Sequence, residues 1–184
     1  IYYKAVGELF SNIKKDIRNS RFDNYNIIKL GFWPGGDRDG NPFVTTETTM
    51  QVADELRMNL MKCYYADIKA LRRKLTFRET EDILAGVQAD IYPTMYDAGK
   101  TISYGDLVNP LLKVKKALIE NYNSIYLGEL DSLIDKIHIF KTHFAALDIR
   151  QNHDIHQRTV QEILIKAGYI KQSLAELPEK QLVE

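Results

Sequence analysis

Ile27-Ile-Lys-Leu-Gly-Phe-Trp33 runs through Pro34 into Gly35-Gly-Asp-Arg-Asp-Gly-Asn-Pro42, and this junction decides how the chain is organised. The first seven residues form a short apolar run, which predicts a buried β-strand. Three glycines and a proline in the next eight demand a backbone that bends tightly and closely approaches something. Arg38 lies inside the bend, flanked by Asp37 and Asp39. A charged, glycine-framed loop at the end of a strand is a common seat of chemistry. The plainer alternative is structural: Asx turns and ion pairs, with Arg38 held between its two acids, would stiffen the bend without a ligand.

Upstream of the strand, Val6, Leu9, Phe10, Ile13 and Ile17 fall at helical spacing, predicting an amphipathic helix over residues 1–18. Downstream, Thr45 or Thr46 can cap a long helix with Glu47 in its first turn. Ala53, Leu56, Leu60, Tyr64, Ile68, Leu71 and Leu75 repeat every three or four residues, so this helix could run about 45 Å at 1.5 Å per residue. A second helix fits Glu79 to Ile91, stopped before Pro93. Asn109-Pro110 reads as a cap with proline at the first helical position, opening a helix to about Tyr122. Gly128 precedes another, with Leu130, Leu133, Ile134, Ile137 and Phe140 on one face. His143-Phe-Ala-Ala-Leu-Asp-Ile-Arg150 reads as a second buried strand presenting Arg150 at its C-terminal end. Asp154 to Ala167 is helical again, with Gly168 as its C-terminal stop.

The expected fold is therefore mostly α, with two short strands widely separated in sequence. Each strand ends in polar residues, as in an incomplete βα barrel whose C-terminal strand ends carry the active site.

Composition narrows the function classes. The 184 residues contain 25 basic and 25 acidic side chains, 45% are hydrophobic, and the pI is near 7.1. Bulk charge therefore favours neither a nucleic-acid nor a membrane-surface partner. No apolar run approaches the roughly 18 residues of a membrane span. Cys63, alone in the sequence, excludes an internal disulfide, fits a reducing cytosol, and reads as a small core residue. The chain begins at Ile1 and ends at Val183-Glu184 without a closing element, so residues 1–184 are expected to be a single fragment of a longer protein.

Phe32-Trp-Pro-Gly-Gly-Asp-Arg-Asp-Gly-Asn-Pro-Phe-Val-Thr45 closely resembles the W-x-G-G-D-R-D-G-N-P-x-V-T block of phosphoenolpyruvate carboxylases. Leu147-Asp-Ile-Arg-Gln151 is similar to that family's L-D-I-R-Q strand, and the two blocks occur in the family's order. His156 falls where the family often has a histidine after that arginine. The resemblance implies a cytosolic, Mg-dependent, biotin-free enzyme, usually a homotetramer, joining phosphoenolpyruvate and bicarbonate to give oxaloacetate and phosphate. It implies that Trp33 walls the pocket around the substrate's methylene group, and that Arg150 is catalytic and faces the substrate's phosphate. It further implies that the loop residues Gly35, Gly36, Asp37, Arg38, Asp39 and Asn41 line the same site. The family's T-A-H-P-T and F-H-G-R-G-G blocks and its acidic metal ligands are expected outside these residues, so the fragment alone is expected to be inactive. Two departures stand out: Pro34 replaces the usual methionine, and Asn152-His153 replaces an acid and a serine.

Other signals are weaker. Asp37-Arg-Asp39-Gly suggests a D-x-D-G phosphatase loop, but there the first aspartate must emerge directly from a strand, and here Gly35-Gly36 intervene. His153 and His156 lie i, i+3, yet two ligands do not make a zinc site. Lys113, Lys115 and Lys116 read as a solvated helix face. The competing functional class is a non-enzymatic helical scaffold with exposed apolar faces.

Overall fold

A computed structural model describes residues 1–17, 22–39 and 41–171. Gly40 of the glycine-rich loop lies outside the described residues. The chain divides into two compact units: Ile1–Phe32 with Met50–Leu147, and Trp33–Thr49 with Asp148–Glu184.

The first unit is a helical bundle. Helix α1 spans Tyr2–Asp16, α2 Thr46–Arg72, α3 Arg78–Thr94, α4 Tyr104–Asn121 and α5 Leu127–Phe140. The apolar periodicity explains most of the packing. On α2, Leu60, Met61, Tyr64, Ile68 and Leu71 are buried, as is Leu75 just beyond it. They meet Leu84, Val87 and Ile91 of α3, Leu107, Leu111 and Leu118 of α4, and the predicted face of α5. On α1 the buried stripe is Tyr3, Val6 and Phe10, whereas Leu9 and Ile17 are exposed. Cys63 is partly buried against the core, and burial pushes its thiol up.

Three sequence expectations need correction. Pro93 does not stop α3 but sits inside its last turn; the bond its missing N–H removes is lost only one residue before the helix ends at Thr94, so the helix finishes just after it instead of before it. Nor do Asn109-Pro110 open α4. Ser103 caps it, accepting from the Asp106 amide at 3.1 Å while its hydroxyl reaches Asp106 Oδ2 at 2.7 Å, so Pro110 is an interior residue. The strand read over 27–33 is largely absent: Tyr25–Ile27 forms a 3-10 turn, Ile28 is extended but outside any strand, and only β1, Gly31–Phe32, forms a strand. Its partner β2 is equally short, Ala146–Leu147, and pairs in parallel with Gly31 opposite Ala146 and Phe32 opposite Leu147. Neither strand contains a buried residue.

Several polar groups inside the bundle are paired. The buried Tyr64 hydroxyl donates to the Lys141 carbonyl at 2.9 Å. Lys14 Nζ donates to both oxygens of Asp135, at 3.0 and 2.8 Å, and the Tyr25 hydroxyl donates to Oδ1 at 3.1 Å. His138 stacks on the Tyr25 ring at 4.4 Å and bonds the Tyr104 hydroxyl through Nδ1. Desolvation holds the His138 imidazole below its ordinary value, against the opposing pull of Asp135. A histidine with a folded-state pKa below its unfolded one binds fewer protons when folded, so stability is lost as pH falls through the ordinary histidine range. The thermal midpoint of the wild type should therefore drop more between pH 7.5 and 5.5 than that of His138→Gln. Parallel curves for the two proteins would contradict this.

The second unit contains the loop from Trp33, the first turn of α2, and α6, His153–Lys166. Asn152 caps α6 by accepting from the Asp154 amide at 2.9 Å. At the other end Gly168 is left-handed, with φ 78°. The Tyr169 amide bonds the Leu164 carbonyl and the Gly168 amide that of Ile165, the paired pattern of a Schellman stop. No residue of α6 is buried.

Candidate active site

The turn that follows β1 has a specific shape. The Gly36 amide donates to the Trp33 carbonyl at 2.9 Å, and Gly35 has φ 80°. Proline at the second position and a left-handed glycine at the third define a type II turn. Pro34 therefore suits this turn through its fixed φ.

Gly36 has a different task. A Cβ at this position would lie 2.1 Å from the Asp148 carbonyl oxygen, so only glycine lets the loop lie against the 148–150 strand end. Contact is made through the backbone. The Arg150 amide donates to the Gly36 carbonyl at 2.8 Å, and the Arg38 amide donates to the Arg150 carbonyl at 2.9 Å. Asp37 and Arg150 thus form a parallel bridge.

Arg38 does not pair with the acids beside it. Its Nη2 donates to Thr49 Oγ1 at 2.8 Å and reaches the Thr45 carbonyl at 3.4 Å. Thr49 is buried, and its hydroxyl lies 2.7 Å from the Gly35 carbonyl. The expectation of an Asp37–Arg38–Asp39 ion pair is therefore replaced by a link from the loop to the first turn of α2. A guanidinium with this buried hydroxyl in reach need not share the solvated carboxylates of an exposed bend.

Thr45 caps α2, accepting from the Thr48 amide at 3.3 Å. Glu47, in that first turn, has its carboxyl held below the usual range by its own backbone amide and by the Thr45 hydroxyl. Asn41 Oδ1 accepts from the Phe43 amide at 3.1 Å, an Asx turn that bends the chain toward α2. Between these elements opens a groove of about 640 Å³, walled by Arg38, Asn41, Thr45, Glu47, Gln151 and Asn152 among others.

The family model for phosphoenolpyruvate carboxylase matches residues 3–91 and 77–184. The chain belongs to the phosphoenolpyruvate carboxylase family. The phosphoenolpyruvate carboxylase of Aeromonas hydrophila is 28% identical over 74% of this chain and 19% of its own length. That of Shewanella halifaxensis is 27% identical, over 74% and 19% respectively. The chain thus spans about a fifth of the length of the curated relatives it matches.

Within this member of the carboxylase family, the residues predicted from sequence divide into two groups. Gly35, Gly36 and Asn41 shape the loop, Asp37 bridges it to Arg150, and Arg38 anchors it. Trp33, Asp39 and Arg150 are exposed; the Trp33 side chain is 57% exposed. The Arg150 guanidinium makes no hydrogen bond or ion pair among the described residues, so the Asp148 and Asp154 partners conceivable from sequence do not engage it. Its backbone is fixed by the bridge to the loop. Thr49 was not legible as a site residue, because helical spacing does not say which side of α2 the loop returns to. His153 and His156 are exposed at the start of α6. Among the described residues no three His, Cys, Asp or Glu side chains converge as metal ligands, and no helix is long and apolar enough to cross a membrane.

Proposed function

We propose that these 184 residues are one segment of a longer carboxylase that joins phosphoenolpyruvate and bicarbonate to give oxaloacetate and phosphate. The observation that carries the reading is the parallel bridge between Asp37 and Arg150. It joins the glycine-rich block and the arginine block, far apart in sequence, into one surface within a chain that belongs to this family.

In this reading bicarbonate attacks the phosphoryl group, giving carboxyphosphate and the enolate of pyruvate. Carbon dioxide released from carboxyphosphate is then captured by the enolate. Arg150 pairs with the phosphate, because a planar guanidinium matches phosphate oxygens and keeps its charge. Trp33 presents an apolar face to the methylene carbon and keeps water from protonating the enolate before carboxylation. The described residues do not form a metal site, and the Mg²⁺ that the family resemblance implies is assigned to ligands elsewhere in the parent. We also assign the parent to the cytoplasm, as a biotin-free homotetramer whose β1 and β2 are staves of a βα barrel.

The test uses the full-length protein and an oxaloacetate assay that depends on bicarbonate. Arg150→Ala should lower turnover by one to two decades, the equivalent of about 1.5–3 kcal/mol for a charge-assisted contact felt in the transition state. Lys115→Ala, which removes only a half-exposed pair with Asp131 on α5, should leave it within about twofold. Equal turnover of the two variants would refute the phosphate role of Arg150. The isolated 184-residue segment should make no oxaloacetate.

A further inference from the structure

We infer that Thr49 is a positioning residue of the reaction, acting through its hydroxyl on both the Trp33 turn and Arg38; this rests on the carboxylase reading above. Thr49 closes the first turn of α2, and such threonines often bond only the carbonyl four residues back. Here that contact, to Thr45, is the longer one at 3.1 Å, while Gly35 O is at 2.7 Å. A hydroxyl has one proton to give and lone pairs to receive with. The shorter contact takes the proton, and Arg38 Nη2 donates into the oxygen at 2.8 Å.

The two partners have different consequences. Gly35 O belongs to the type II turn that carries Trp33, so the hydroxyl sets where that turn stands. Arg38 follows Asp37 directly, and its own amide bonds Arg150 O. Fixing its guanidinium keeps the backbone on the Arg150 strand end. A single buried oxygen therefore sets the placement of the apolar wall and the docking of the loop on the phosphate-facing strand. Thr49→Val keeps the side-chain shape but leaves both partners without that oxygen, and Thr49→Ser keeps the oxygen and removes a methyl group.

In the full-length protein without substrate, Thr49→Val should speed amide exchange at Gly36 and Arg38 about tenfold, with the interior of α2 unchanged. With phosphoenolpyruvate and bicarbonate, kcat should fall about tenfold at nearly constant KM, because Trp33 placement matters most once the enolate forms. Thr49→Ser should stay within about twofold of wild type in both measurements. Wild-type exchange in Thr49→Val, or faster exchange with unchanged kcat, would overturn the inference. So would equal impairment of the serine variant, which would assign the effect to the methyl group. If the wild-type protein forms no oxaloacetate, the carboxylase reading fails, while the exchange data still judge the hydroxyl's hold on the loop.

Discussion

Gly36→Ala should release the loop from the strand end and expose the Arg38 and Arg150 amides to exchange one to two decades faster than wild type. The added methyl would sit 2.1 Å from the Asp148 carbonyl oxygen and 3.0 Å from its carbon, both backbone atoms that no rotamer change can move aside. Relief requires the two segments to part by about 1 Å, and that breaks the bridge bonds of 2.8 and 2.9 Å. Two backbone hydrogen bonds at about 1 kcal/mol each correspond to roughly thirtyfold in opening. Gly86→Ala is the matched control. It lies inside α3 with nothing within 4 Å of an added methyl group, so alanine there should stabilise the helix by about 0.5–1 kcal/mol. Unchanged protection at Arg38 and Arg150 in Gly36→Ala would show that the close approach does not hold the loop.

Phe140→Ala should be the most damaging change in the bundle. The ring is fully buried, with its centroid 5.4 Å from that of Tyr3 and 5.1 Å from that of Phe144, the latter stacked at 10°. Removing it takes out one residue that α1, α5 and the chain beyond α5 share. Truncations of this kind cost about 3–5 kcal/mol, the range reflecting how far the site collapses. For a chain of this size that is a fall of about 10 °C in thermal midpoint. Leu112→Ala, on the solvent side of α4 and 45% exposed, should cost no more than about 0.5 kcal/mol. Similar midpoints for the two variants would mean that the aromatic cluster does not anchor the bundle.

Helix periodicity carried most of the fold. The stripe from Leu60 to Leu75 and the face from Leu130 to Phe140 were legible because burial at every third or fourth position reports a helix directly. The apolar run 27–33 misled, since a short hydrophobic segment looks the same whether it pairs as a strand or turns as a 3-10 helix. With one short partner strand, the ladder reaches back only to Leu30, whose carbonyl accepts from the Ala146 amide at 2.9 Å. The start of α4 was written in Ser103-x-x-Asp106, a local capping signal outweighed in sequence by the more conspicuous Asn109-Pro110. In the loop, the need for glycine was legible, but the two reasons for it were not. Gly35 answers to its own φ, whereas Gly36 answers to a carbonyl contributed by the opposite end of the chain. The partner of Arg38 was hidden for the same reason: neighbours in sequence suggested two aspartates, and the fold supplied a threonine.

The parallel pairing of β1 with β2 also orders events during folding. Gly31 and Ala146 are separated by α2, α3, α4 and α5, as are Asp37 and Arg150. Closing such long segments costs chain entropy before any ladder bond is gained, whereas the intervening helices form through local contacts. The helices therefore assemble first, and the loop acquires its strand partner last. A nascent chain can hold a nearly complete bundle while the surface shared by the glycine-rich loop and the Arg150 strand end does not yet exist.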